Sequence, residues 1–245
     1  LNPLYCQTEF CNLVLPLMFP SLVNLDPQDR SLQLANDDNF ALVADVEQRA
    51  DGDSYIYTLR DDALWSDGTP ITAYDVFFSY LAIISRQTSS QYRGELIRQI
   101  EALMPLDDTH LLVIPYDLDC DIPSRVNFPV IPVHVFDDNF ANHVDDFFDE
   151  DNLTVEDYND WLENDTFLYQ TILTHDFSYA PIVSYGTYQF TAQSAQDYVH
   201  LTHNNNQQVL ETVPYNRDQS GIDDVIAGEI AYYENPPRNQ WEDLR

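Results

Sequence analysis

One continuous segment of this chain combines three structural signals in close succession, and it constrains the fold more than any other. Tyr55–Leu59 is rich in strand-forming residues. Asp67–Pro70 reads Asp-Gly-Thr-Pro, which is a turn signal. Thr72 then supplies an N-cap hydroxyl, and Asp75 lies in the first helical turn, at the positive end of the helix dipole. The segment predicts a strand, a tight turn and a helix of about three to four turns that begins at Ala73.

The charge balance of the whole chain limits its partners. Its 245 residues contain 42 Asp and Glu against 10 cationic residues, all of them Arg, so the formal net charge is −32. Such a surface repels phosphate backbones and anionic lipids, which argues against nucleic acid as a partner and against electrostatic membrane docking. The 44% hydrophobic content, with 16 Tyr, 13 Phe and 3 Trp, supplies more apolar surface than a disordered polyanion carries. We expect a folded, acidic protein.

The remaining elements mix strands and helices without an internal repeat, which favours an α/β or mixed α+β fold. We expect a short buried helix leading into a strand, a weaker helix, a buried strand, an extended proline-rich segment, two paired strands and a final short helix or turn. In chain order these lie at Leu13–Val23, Glu95–Leu103, Thr109–Ile114, Pro123–Pro132, Tyr188–Thr191 with Tyr198–Thr202, and Ile222–Ile230.

Asp137–Asp165 is strongly acidic but contains interleaved aromatic residues, which indicates an ordered insertion packed on the surface. Carboxylates suit calcium, although Asp149, Asp151 and Leu153 break the alternation of an EF-hand loop and no Gly takes its turn position. A solvated acidic face is the simpler interpretation. A calcium-binding or adhesion module centred on this insertion remains the alternative from a different functional class.

No motif for catalysis is evident. The absence of Lys excludes a P-loop or Schiff-base mechanism, and the nucleophile-elbow and zinc-protease motifs are missing, so we expect no catalytic residues, no metal and no cofactor. Cys6 and Cys11 are close enough in sequence for a small-loop disulfide, but two buried thiols are equally compatible with the sequence.

The segment Tyr57–Tyr80 resembles the signature of the family 5 extracellular solute-binding proteins, the oligopeptide- and dipeptide-binding components of ABC importers. Further stretches resemble other parts of that family in the same order: Leu1–Leu4 with Leu17–Val23, Ile131–Phe136, Ser184–Phe190, and Ala227–Ile230.

The resemblance implies the first lobe of a type II periplasmic-binding-protein fold. Residues 1–245 would form this N-terminal lobe, with an inserted subdomain at about 40–130, an acidic insertion at about 137–180, and the second lobe absent. It also implies a mixed sheet joining the regions of Leu22, Tyr188 and Val199.

The implied function is non-enzymatic. The parent protein would be a monomer at the outer face of the cytoplasmic membrane or in the periplasm, lipid-anchored or secreted. It would bind short peptides between two lobes and deliver them to a permease and an ATPase. Within the same family, an oligosaccharide or a metal chelate is the alternative cargo.

The ligand contacts of the first lobe are expected from two segments: the loop after the opening Asn-Pro and the segment that enters the main sheet. Glu9 would receive a peptide amine, while Tyr5 and Tyr185 would line a side-chain pocket. The signature turn itself is better explained by a structural role. The expected binding residues are Tyr5, Gln7, Thr8, Glu9, Ser184, Tyr185 and Gly186.

Overall fold

The computed structural model describes residues 1–212, apart from residues 20, 27, 30, 37–38, 51, 119–121, 149–152, 194–198 and 204–208. Within this part of the chain the helices are α1 (Glu9–Met18), α2 (Ala73–Ile84), α3 (Arg93–Gln99), α4 (Ile122–Arg125), α5 (Phe140–Phe147) and α6 (Val155–Asn164). Short 3-10 helices span Val133–Val135, Tyr169–Thr174 and Asp176–Ser178. None of the described helices has the length and apolar character needed to cross a bilayer.

The strands form three separate sheets. A two-stranded sheet pairs β1 (Asn24–Leu25) with β2 (Leu32–Gln33). A four-stranded sheet contains β3 (Val43–Gln48), β4 (Tyr55–Leu59), β5 (Ile100–Pro105) and β6 (His110–Pro115), in the order β3-β4-β6-β5. The third sheet contains β7 (Tyr188–Gln193), β8 (Val199–His203) and β9 (Val209–Thr212), in the order β7-β8-β9.

The predicted strand, turn and helix are confirmed. Strand β4 occupies Tyr55–Leu59, and α2 begins at Ala73 and runs for 12 residues. Gly68 adopts a φ of 91°, the left-handed conformation that glycine tolerates best, and so closes the turn between them. The Asp75 carboxylate accepts the backbone N–H of Thr72 at 2.8 Å, which fixes the first turn of α2.

The expected mixed sheet is wrong for the described residues, because every strand pair there is antiparallel and no sheet joins Leu22 to β7 and β8. The Leu22 carbonyl instead accepts the N–H groups of both Leu42 and Val43 at 3.0 Å, and this local link does not continue as a strand ladder. The expected pairing of β7 with β8 is confirmed.

Helix α2 forms the centre of the core. Its residues from Ala73 to Ile83 are all buried, as expected for a helix that is apolar on nearly every side. Strand β5 packs on one part of α2. Phe77 meets the rings of Phe140, Phe148 and Trp161 at centroid distances of 6.0, 6.1 and 5.8 Å. The aromatic residues of the acidic segment therefore anchor α5 and α6 to the core, which confirms that these two helices are ordered and packed on the protein.

Several element boundaries differ from the expectation. The helix expected over Glu95–Leu103 ends at Gln99, because the following residues pair with β6 as strand β5. The expected extended segment Pro123–Pro132 begins inside the short helix α4. The first helix starts before Leu13 because Thr8 caps it, and its side chain accepts the N–H of Cys11. The final helix or turn expected at Ile222–Ile230 lies outside the described residues.

Candidate functional site

An open groove of about 320 Å³ lies where the turn before α2 meets the segment that enters β7. Three of the seven expected binding residues line it, together with five residues that sequence reasoning missed. The described residues of the lining are Phe40, Leu64, Ser66, Ser184, Tyr185, Gly186, Thr187 and His203.

Ser66 and Ser184 tie the two walls of the groove together. The backbone N–H of Ser66 donates to the Ser184 carbonyl at 2.8 Å, and the N–H of Ser184 donates to Ser66 Oγ at 3.1 Å. Ser66 Oγ also donates to the carbonyl of Ile182 at 3.4 Å. The side chain of Ser184 is buried, yet its hydroxyl has no hydrogen-bond partner in the described part of the chain. A buried hydroxyl without a partner is unfavourable, which makes Ser184 a candidate for contact with a ligand.

The end of α1 holds the floor of the groove. The carbonyl of Met18 accepts the N–H groups of Tyr185 and Gly186 at 3.0 and 2.7 Å. A Cβ atom on Gly186 would lie 2.0 Å from the carbonyl oxygen of Leu17, so this close approach of two backbones requires glycine. These contacts fix the backbone of the lining segment against a helix.

Arg60 supports the opposite wall. Its guanidinium pairs with the Asp62 carboxylate and donates to the backbone carbonyls of Asn36 and Asn39 at 3.3 and 3.2 Å. Those carbonyls lie just before Phe40, whose ring meets Tyr185 edge-on at 5.8 Å. Burial raises the pKa of Tyr185 above its usual value, and the Arg60 charge opposes that rise, so the phenol stays protonated at neutral pH.

Tyr5, Gln7 and Thr8 lie elsewhere. The Tyr5 hydroxyl donates to the carbonyl of Ala82 at 3.1 Å, and burial raises its pKa to about 12. Gln7 and Thr8 are exposed, and Thr8 caps α1. The structure also joins Cys6 to Cys11 by a disulfide, which encloses Gln7 and Thr8 in a small loop and resolves the two alternatives left open above. The Glu9 side chain lies outside the described part.

The expected binding residues therefore divide between the two ends of α1. Thr8 precedes its first residue and Met18 ends it, and a helix of 10 residues is about 15 Å long. The structure brings together Ser184, Tyr185 and Gly186 but not the residues of the opening loop. Leu64 and Ser66 belong to the signature segment Tyr57–Tyr80. The sequence does not predict their position in the groove, because turn formation alone explains the polar residues of that segment.

Other candidate sites are weaker. A larger polar cavity of about 500 Å³ lies near α3 and α4, but none of its lining side chains has a buried, unpaired polar atom. In the described part of the chain, no group of three or more His, Cys, Asp and Glu side chains is arranged to hold a metal ion.

The chain belongs to the bacterial extracellular solute-binding proteins, family 5, since residues 39–245 match the family described as "Bacterial extracellular solute-binding proteins, family 5 Middle". The family resemblance of the signature segment is thereby confirmed. Members of this family are solute-binding proteins of ABC importers. The matched range includes Ala227–Ile230, whose structure lies outside the described residues.

Three similar proteins illustrate the relationship. The periplasmic murein peptide-binding protein MppA of Escherichia coli K12 is 24% identical over 213 residues, which cover 78% of this chain and 34% of MppA. The structure of Haemophilus influenzae OppA in complex with the peptide RPPGFSPFR has a TM-score of 0.68 and 16% identity, covering 99% of this chain and 45% of OppA. NikZ of Campylobacter jejuni in complex with Ni(L-His) has a TM-score of 0.65 and 21% identity, covering 94% and 39%.

The structural similarities show a shared mixed α/β fold of the type II periplasmic-binding-protein class. The chain spans about a third of the length of MppA and less than half of either solved neighbour.

Proposed function

We propose that this chain is the first-lobe part of a non-enzymatic solute-binding protein that captures short peptides for an ABC importer. The observation that carries the proposal is the groove at the start of β7, where aromatic and aliphatic walls adjoin a buried hydroxyl that has no partner among the described residues. Membership of the solute-binding family supplies the transport context. Delivery to a permease and its ATPase, and location outside the cytoplasmic membrane, are parts of the same proposal.

Peptide is favoured over the other cargoes for two reasons. MppA is named as a peptide-binding protein, and the OppA structure contains a nonapeptide. The groove also suits a peptide, because it combines side-chain-sized apolar walls with hydroxyl groups that can bond to an amide. The main alternative ligand is a metal chelate, because the similar protein NikZ forms a complex with Ni(L-His).

Isothermal titration calorimetry of the 245-residue chain tests the proposal directly. The tripeptide Ala-Phe-Ala, maltotriose, nickel with histidine, and calcium chloride are titrated separately in the same concentrated KCl buffer. We expect saturable heat from the tripeptide alone. The Tyr185→Ala variant removes one wall of the groove and should abolish that heat, whereas Tyr179→Ala, at an exposed tyrosine that does not line the groove, should retain it.

Each alternative outcome contradicts the peptide assignment in a different way. Saturable binding of maltotriose or the nickel chelate, without peptide binding, would keep the family and change the cargo. Saturable calcium binding without any organic ligand would favour the acidic insertion, Asp137–Asp165, as the functional surface. Peptide heat that survives in Tyr185→Ala would place the peptide site away from the groove.

A further inference from the structure

Among the residues that the structure describes, the lining of the groove carries no carboxylate or guanidinium. Phe40, Leu64 and Tyr185 supply apolar surface, and the polar side chains that line it are hydroxyl groups and one imidazole. Leu64 is 51% exposed and Phe40 41% exposed, so each has surface that a ligand can still cover. Covering such surface is favourable by about 25 cal/mol per Å².

The charges nearest to this lining are already paired. Arg60 contacts Asp62 at two points, Nε to Oδ1 at 2.5 Å and an Nη to Oδ2 at 2.9 Å. Its guanidinium also donates to the backbone carbonyls of Asn36 and Asn39 and bonds to the Tyr185 hydroxyl, so it is held in the wall behind Phe40 and Tyr185. A charged ligand side chain in the groove would lose water without gaining an opposite charge from the described lining residues, which is unfavourable.

Ser184 adds a polar contact at the edge of the apolar surface. Its side chain is 1% exposed, and its hydroxyl has no partner in the described residues. The hydroxyl can either donate to a peptide carbonyl or accept from a peptide N–H. The hydroxyl is neutral, so it can pair with a peptide amide without requiring a charge on the ligand.

From these observations, and on the basis of the proposed peptide function, we infer that the groove selects an uncharged, apolar side chain of the peptide, with the Ser184 hydroxyl bonded to the adjoining peptide backbone. The selection opposes the long-range field of the protein, since a net charge of −32 attracts cationic peptides. A preference for an apolar over a cationic peptide must therefore come from the groove itself.

The test compares Ala-Phe-Ala, Ala-Leu-Ala, Ala-Lys-Ala and Ala-Asp-Ala by calorimetry on the 245-residue chain in concentrated KCl, which screens the long-range field. The Phe and Leu peptides should bind ~10-fold or more tightly than the Lys and Asp peptides, as hydrophobic pockets discriminate on this scale. Equal or tighter binding of the Lys or Asp peptide would overturn the inference while leaving peptide binding intact. Failure of all four peptides to bind would overturn the proposed function and the inference together.

A pair of matched variants tests the location of the selection. Leu64→Asp places a carboxylate on the groove wall and should weaken Ala-Phe-Ala binding by ~10-fold while improving Ala-Lys-Ala relative to it. Leu168→Asp makes the same change at a leucine that is 55% exposed and does not line the groove, and it should change neither affinity. Equal effects of the two variants would contradict the assignment.

Ser184→Ala separates a ligand contact from a structural role. Because the hydroxyl has no partner in the described residues, its removal should leave the urea unfolding midpoint unchanged or raise it. The same variant should weaken Ala-Phe-Ala and Ala-Leu-Ala equally, by roughly 2- to 10-fold for one lost hydrogen bond. Unchanged peptide affinity would refute the proposed role of Ser184.

Discussion

Replacing Asp75 with Asn should make the stability of this protein respond differently to pH. Asp75 is 2% exposed, and its carboxylate accepts the N–H groups of Thr72 and Val133, both at 2.8 Å. Burial is the largest influence on its pKa and raises it to about 6, although the two amides and the charge of His134 oppose the rise. The carboxylate thus joins the first turn of α2 to the 3-10 helix at Val133–Val135, at the cost of holding a buried charge.

The direction of the pH effect follows from the raised pKa. Between the usual Asp pKa of 3.8 and about 6, the folded state holds a proton that the unfolded state has released. This contribution to stability is full below the unfolded pKa and is lost as the pH rises through about 6. At about 1.4 kcal/mol per pH unit, the full shift is worth about 3 kcal/mol, of which roughly 1.4 kcal/mol is gained between pH 7 and pH 5.

Urea unfolding of the wild type and Asp75→Asn at pH 7 and pH 5 measures this term, because the other carboxylates titrate in both proteins and cancel in the difference. The free energy of unfolding of the wild type, relative to the variant, should increase by about 1.4 kcal/mol at the lower pH. Asp157→Asn is the control. Asp157 occupies the equivalent first-turn position of α6 but is only partly buried, and hydrogen bonds from Thr154 lower its pKa, so its difference should change in the opposite direction. A pH-independent difference for Asp75→Asn would refute the reasoning.

Three further predictions concern stability. Reducing the Cys6–Cys11 disulfide, which closes a loop of sequence separation 5, should cost about 2 kcal/mol by the loop-entropy relation; an unchanged urea midpoint would contradict this. Gly186→Ala should cost about 1–3 kcal/mol because of the contact with Leu17, whereas Gly94→Ala, in open space on α3, should stabilise by roughly 0.5–1 kcal/mol. Raising KCl from about 0.1 M to about 1 M shortens the screening length from roughly 10 to 3 Å, and it should raise the urea midpoint of this protein of net charge −32. A midpoint that falls with salt would show that self-repulsion does not limit stability.

The elements that sequence reasoning located well are those with local signals. The start of α2 was predicted at the correct residue because Thr72 and Asp75 specify it within one turn. The burial of Phe140, Phe148 and Trp161 is predictable from the sequence, because large aromatic rings within an acidic segment are mostly buried against the rest of the protein.

The failures involve distant residues. Ile100–Pro105 is a strand because β6 pairs with it, and the residues before it continue a helical pattern that conceals the change. In the described part of the chain the expected sheet joining Leu22 to β7 is absent, and the Leu22 carbonyl bonds to Leu42 and Val43 instead. Local sequence does not specify which partner a carbonyl finds across the fold.

The candidate site was only half foreseen for the same reason. Ser184, Tyr185 and Gly186 were expected from the family resemblance, but the opposing wall depends on Arg60 holding the loop before Phe40. That link spans 21 to 24 residues and has no sequence signature of its own. The opening loop was grouped with the groove because the family resemblance implies ligand contacts from both segments, whereas in the structure α1 separates them.

Amide chemical-shift mapping of the isotopically labelled chain during titration with Ala-Phe-Ala tests the central claim most directly. The claim predicts saturable shifts concentrated at Phe40, Leu64 and residues 184–187, the two walls of the groove. Saturable shifts confined to Tyr5, Gln7 and Thr8 would place the site at the other end of α1, and an unchanged spectrum at saturating peptide would contradict peptide binding by this chain.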